Sequence, residues 1–192
     1  MATRLMGTTV VLLVAELLFG TANLHAQSNT HEHSPATSGH GQFEIPKAMQ
    51  IEHEALHSDL AKLTKAGKRT GEAAQKLASV LDPHFQKENE YALPPLGLLV
   101  ALSEGKFDCT MTAVLQLTDK LQADMPSMLA EHKDITAALT QLRSAASSEK
   151  NGEGVKFADE LATHAQTEEQ ITYPTALVIG LYVKEKAHQC HR

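Results

Sequence analysis

Residues 121–142 read LQADMPSMLAEHKDITAALTQL. Leu121, Met125, Met128, Ile135, Leu139 and Leu142 recur at alternating spacings of four and three, which is one face of a helix turned toward a core. His132 fills the remaining place in that series. A polar, metal-ligating side chain therefore stands where an apolar one is expected.

The same pattern appears in three other runs. Punctuation at Ala66-Gly67, at Ser103-Glu104-Gly105 and from Ser147 to Gly154 divides the chain into helices at about 46–66, 71–103, 110–146 and 154–187. No run shows the period-2 alternation of a strand. Short connections between long amphipathic helices imply antiparallel neighbours, so the expected fold is all-α, an up-down four-helix bundle built from two duplicated helical hairpins. Pro94-Pro95 and Pro174 should kink the second and fourth helices at matching points.

The remaining core stripes are Met49, His53, Leu56, Leu60, Leu63 in the first helix and Leu77, Leu81, His84, Glu88, Tyr91 in the second. The fourth gives Phe157, Leu161, His164, Glu168, Ile171. Each apolar series is broken only by His or Glu. An unpaired buried carboxylate costs several kcal/mol, roughly, so two in one small core demand a partner. Depth agrees: His53 and His84 lie equally far from the first turn, and His132 and His164 nearly so from the turn near residue 149. Four imidazoles and two carboxylates converging in a dry core describe a metal site. With two carboxylates able to bridge, a dinuclear iron or manganese centre fits best. The set is also duplicated. Glu52-His53 precedes His84 and Glu88 by 31 residues, and Glu131-His132 precedes His164 and Glu168 by 32.

Composition narrows the function classes. Lys+Arg 17 against Asp+Glu 23 gives a formal charge of −6 with no basic cluster, which argues against a nucleic-acid partner. Aromatic residues at 4% and no Trp argue against a stacking platform. There is no serine triad, phosphate loop or nucleotide fingerprint. Residues 1–26 read as a secretory signal, with Arg4, an apolar run from Leu5 to Gly20 and a small residue at Ala26. The protein is therefore expected in the periplasm or secreted, without a membrane partner after cleavage. Residues 27–44 form a polar arm carrying His31, His33 and His40, expected to be a solvated linker; residues 45–187 are the domain and 188–192 a short tail. Cys109 and Cys190 fall at the same end of an up-down bundle and favour a disulfide; the rival is a small surface metal site of Cys190 with His188 and His191.

The stretches IEHEALHSDL (51–60), HFQKENEYALPPL (84–96), LAEHKDITAALTQL (129–142) and FADELATHAQTEEQITYPTAL (157–177) resemble the hemerythrin-like, or HHE cation-binding, family. The likeness spans about residues 45–177. It implies metal ligation by His53, His84, Glu88, His132, His164 and Glu168, with Glu88 and Glu168 as bridging carboxylates of a di-iron centre, and manganese or zinc as other metals. His57, one turn after His53, is a possible additional ligand. Oxygen-carrying members place two His four residues apart on the third helix, whereas Met128 and Thr136 flank His132 here, and the fourth helix has His-x-x-x-Glu in place of a more distant Asp. The resemblance thus implies a protein that binds or senses oxygen, nitric oxide or peroxide more than a reversible carrier. A di-iron enzyme that oxidises ferrous iron or consumes peroxide, and a periplasmic metal-binding or storage protein, are the alternatives. Glu52 and Glu131 are expected to face solvent or to orient a neighbouring helix's His. Tyr91 and Tyr173 are expected to serve core packing.

Overall fold

The computed structural model describes residues 43–191. Among these the chain is all helix, with no strand. The first arm is α1 (Lys47–Leu63). The second runs through α2 (Lys68–Lys87), a π-helical turn (Glu88–Ala92), a 3-10 turn (Pro94–Leu98) and the short α3 (Leu99–Ser103). The third is a 3-10 turn (Cys109–Ala113) leading into α4 (Val114–Ser148). The fourth is α5 (Gly152–Thr167), a second π turn (Glu168–Thr172) and α6 (Tyr173–Ala187). Helix α4 packs along both α2 and α5, while α1 bridges α2 and α5, the arrangement of a four-helix bundle. No helix among the described residues is long and apolar enough to cross a membrane.

The two π turns sit where the prolines predicted kinks. Pro94 and Pro174 lack an N–H, and in a regular helix their rings would strike the carbonyls of Glu90 and Gln170. The preceding turn widens instead. The N–H of Leu93 donates to the Glu88 carbonyl, and that of Tyr173 to the Glu168 carbonyl.

Two apolar clusters fill the bundle. One holds Leu56, Leu60, Leu77, Leu81, Phe85, Ile135, Leu139, Leu142 and Leu161. The other holds Tyr91, Leu93, Leu121, Met128, Tyr173, Ile179 and Val183. The second, third and fourth arms each cross from one cluster to the other, and each crossing falls at their His or Glu. Phe43, from the stretch read as a polar arm, is buried in the second cluster. Helices α4 and α6 approach closely at Gly180, where a Cβ would lie 2.5 Å from the Thr118 hydroxyl.

Both ends of the bundle are tied. Gly67, at φ 68, turns the chain into α2 but offers no side chain to cap it. The Glu149 carboxylate, from the turn between α4 and α5, does so across space. It accepts from the N–H groups of Arg69 (3.0 Å) and Thr70 (3.2 Å) and from the Thr70 hydroxyl (2.7 Å). The α4–α5 break is tighter than expected, because Asn151 caps α5 by accepting from the Gly154 N–H and so places Gly152 and Gly154 inside the first turn. At the other end Cys109 and Cys190 form a disulfide with Cα atoms 5.7 Å apart. That bond fixes the C-terminal turn and excludes the rival surface site built on a free Cys190 thiol.

Two outcomes follow from the ties. The Thr70 hydroxyl, with the two N–H groups, holds the Glu149 carboxyl below its ordinary 4.5. A depressed folded value contributes stability above the unfolded one and loses it as pH falls through the folded one. Metal-free Glu149→Gln protein should therefore melt below the parent at pH 7, and the gap should close on acidification from 4.5 downward; a pH-independent gap would contradict the charge contribution. The disulfide spans 81 residues, so Cys109→Ser/Cys190→Ser should lose up to about 4.5 kcal/mol in chemical denaturation by chain entropy.

Candidate metal centre

His84 and Glu88 are four residues apart, as are His164 and Glu168, so each pair projects from one face of its helix. His53 on α1 and His132 on α4 meet them at the same depth. All six side chains are buried, and Glu88 is fully so. They form two groups sharing both carboxylates: His53, His164, Glu88 and Glu168, and His84, His132, Glu88 and Glu168. In each group one ligand atom per residue lies within 4.8 Å of all the others.

The carboxylates divide their oxygens between the groups. Glu88 turns Oε1 toward His84 Nε2 (3.4 Å) and Oε2 toward His53 Nε2 (3.8 Å). Glu168 turns Oε2 toward His132 Nε2 (3.5 Å) and Oε1 toward His164 (2.8 Å) and His53 (3.5 Å). This is the disposition of bridging carboxylates.

A ring of outer glutamates sets the imidazoles. Nδ1 of His84 faces Glu131 (2.9 Å), Nδ1 of His132 faces Glu169 (2.9 Å) and Nδ1 of His164 faces Glu52 (3.0 Å). A carboxylate accepts only, so each Nδ1 donates and each Nε2 of a neutral ring presents its lone pair inward. The Nε2 atoms of His84 and His132 are 2.8 Å apart. Two lone pairs at that distance repel unless a proton or a cation lies between them. The group of His53 and His164 points the same way: His53 Nε2 and Glu88 Oε2 are buried without a hydrogen-bond partner among the described residues, and His164 Nε2 and Glu168 Oε1, though 2.8 Å apart, do not have hydrogen-bond geometry. The donor set thus fits a divalent cation at each group. Inward lone pairs and shared carboxylates are what a metal needs, and in the group of His53 and His164 no hydrogen-bond partner among the described residues satisfies His53 Nε2 or Glu88 Oε2.

Protons take up part of this charge in the metal-free protein. Burial, reinforced by the charge of Glu168, pushes the Glu88 carboxyl up. Burial would raise Glu168 too, but the close imidazoles of His132, His164 and His53 outweigh it and hold that carboxyl well below the usual range. Burial opposes charge on His164, yet Glu168 and Glu52 carry it up to about 9. Metal must displace these protons, so binding weakens as pH falls.

The six residues expected as ligands come together; His57 does not join them. It lies at the surface, 3.7 Å from Asp82, with its edge on Phe85. Tyr91 is a packing residue as expected, its hydroxyl donating to Asp124 (2.5 Å). Tyr173 differs from expectation. Its hydroxyl donates to Glu88 Oε1 (2.5 Å) and lies 3.3 and 3.2 Å from Nε2 of His84 and His132. Glu52 and Glu131 take the orienting role. Glu169 was not anticipated, because an exposed glutamate beside Glu168 carries no pattern that sets it apart. His31, His33 and His40 lie outside the described residues, as does the signal segment.

Glu88→Gln or Glu168→Gln removes an anionic oxygen from both groups at once. Each variant should keep its helical circular dichroism yet bind half the parent's metal or less by elemental analysis. Full loading would refute the shared-carboxylate geometry. No protein-family model, curated protein or solved structure matches the chain, so the chemistry of the site is read from its own side chains.

Proposed function

We propose that this chain is an exported, non-haem di-iron protein of the hemerythrin-like (HHE cation-binding) kind that binds or senses oxygen, nitric oxide or peroxide. The observation that carries this reading is the membership of Glu88 and Glu168 in both buried groups. Two histidines for each position and two shared carboxylates make a mixed nitrogen and oxygen donor set suited to iron, with manganese as the nearest competitor. The four-residue stripes, the duplicated His and Glu pairs and the all-helical bundle support the family resemblance. The leader-like residues 1–26 and the Cys109–Cys190 disulfide support export, since structural disulfides persist in oxidising compartments.

When bound, a pair of ferrous ions supplies electrons to a small oxidant. The chain's own residues prepare the surroundings. Glu52, Glu131 and Glu169 fix three imidazoles with Nε2 inward. Leu81, Phe85, Leu121, Met128 and Ile135 exclude water above and below the layer. The Tyr173 phenol, whose ionisation is opposed by burial and by Glu88 and Glu168, holds its proton toward Glu88, its oxygen 2.5 Å from Oε1. That placed proton is the one feature favouring the second reading, a di-iron enzyme that oxidises ferrous iron or consumes peroxide.

Anaerobically purified protein should contain about two iron atoms per chain, and its optical spectrum should change on exposure to oxygen or nitric oxide. Return of the original spectrum when the gas is removed identifies a binder; net consumption of peroxide or oxygen over many cycles identifies the enzyme. A chain that takes up no iron would refute both.

A further inference from the structure

The two hairpins repeat one another, yet they do not serve the two groups equally. In the group of His84 and His132, both Nδ1 atoms meet a carboxylate, Glu131 and Glu169. The Tyr173 hydroxyl lies against both Nε2 atoms of that group. In the group of His53 and His164, only His164 has such a partner, Glu52. His53 stacks on Phe85 with ring centroids 4.5 Å apart, and its Nδ1 has no hydrogen-bond partner among the described residues.

The internal repeat shows where this inequality arises. Glu169 and Asn89 are each the second residue of their π turn, and each follows its His by five positions. Glu169 reaches His132; the corresponding partner for His53 would come from position 89, where an amide replaces the carboxylate. Tyr173 likewise follows Glu168 by five, and Leu93 follows Glu88 by five. An open groove of about 940 Å³ between α1 and α5 is lined by Glu52, Leu56, Asp59, Thr163 and Thr167 and, from this group, by His164.

We propose that the two metal positions are unequal by construction: the position of His84 and His132 holds its ion tightly, and the position of His53 and His164 is the exchangeable one, filled last and emptied first through the α1–α5 groove. This rests on the reading of the site as a two-metal centre. The physical cause is the outer ring. A carboxylate on Nδ1 locks the ring's orientation and makes Nε2 a stronger donor, and loss of such a partner typically costs about 10–100-fold in metal affinity. Asn89 and Glu169 are therefore positioning residues that rank the two sites.

The experiment is an anaerobic titration of metal-free, full-chain protein with Co²⁺, followed by calorimetry and by native mass spectrometry of the zero-, one- and two-metal species. The parent should fill in two steps with a dominant one-metal species at one equivalent. Repulsion between two cations alone could separate the steps, so the variants decide. His53→Gln should leave the first step within about 3-fold and remove the second, whereas His84→Gln should remove the tight step. The surface variants leave the ligands untouched: Glu169→Gln should weaken the first step by about 10-fold, and Asn89→Glu should strengthen the second by a similar factor. Equal effects of His53→Gln and His84→Gln on the same step, or no narrowing by either surface variant, would overturn the ranking while leaving a two-metal centre in place. Failure to bind a second Co²⁺ at any concentration would overturn the two-metal reading itself.

Discussion

Two carboxylates and four imidazoles share one layer of a core from which water is excluded, and the rest of the bundle is arranged around that burden. Neither carboxylate can be neutralised by solvent, and no Lys or Arg is among the buried residues of the described segment. Apolar clusters seal the layer on both sides, each buried Leu contributing about 1.5–3 kcal/mol toward keeping it closed. The outer glutamates then decide which way the imidazoles face. Charge at the surface, where it is cheap to hydrate, thereby fixes the direction of lone pairs in the interior.

Such a layer is useful only if four arms stay in step along their axes. The fold locks their relative depth at both ends by different chemistry. Near the first and third turns, the Glu149 carboxylate grips the N-terminus of α2 from across the bundle. At the far end the Cys109–Cys190 bond joins the start of the third arm to the end of the fourth. Between these ties, Gly180 lets α6 sit close on α4, with no Cβ to hold them apart at Thr118.

Much of this was legible in the sequence, for a physical reason. A buried face repeats every 3.6 residues, so a His or Glu that falls on the stripe announces its own burial. That logic placed His53, His84, Glu88, His132, His164 and Glu168 together. It also set His57 just off the stripe, which in the first helix runs through His53, Leu56, Leu60 and Leu63. The outer residues have no such signature. Glu169 and Glu149 are charged residues on exposed faces, indistinguishable by pattern from any solvated glutamate, and their partners lie 37 and about 80 positions away in the chain. Phe43 escaped because a single apolar residue in a polar arm has no period to read.

Tyr173 escaped for another reason, and it shows what the π turns accomplish. Five residues along a regular α-helix rotate a side chain by about 140° past a full turn, which would carry residue 173 away from the face of Glu168. A turn closed by the bond from the Tyr173 N–H to the Glu168 carbonyl brings the fifth residue back toward that face. The extra residue acts as a phase shift in the middle of an otherwise continuous arm. Upstream of it, α5 is phased to one apolar cluster; downstream, α6 is phased to the other, with the phenol delivered at the seam. Winding the same five residues as a regular α-helix would therefore do more than move the end of the arm. It would turn the whole of α6 about its own axis by about 100°, setting the face now covered by the core toward water and Tyr173 away from Glu88.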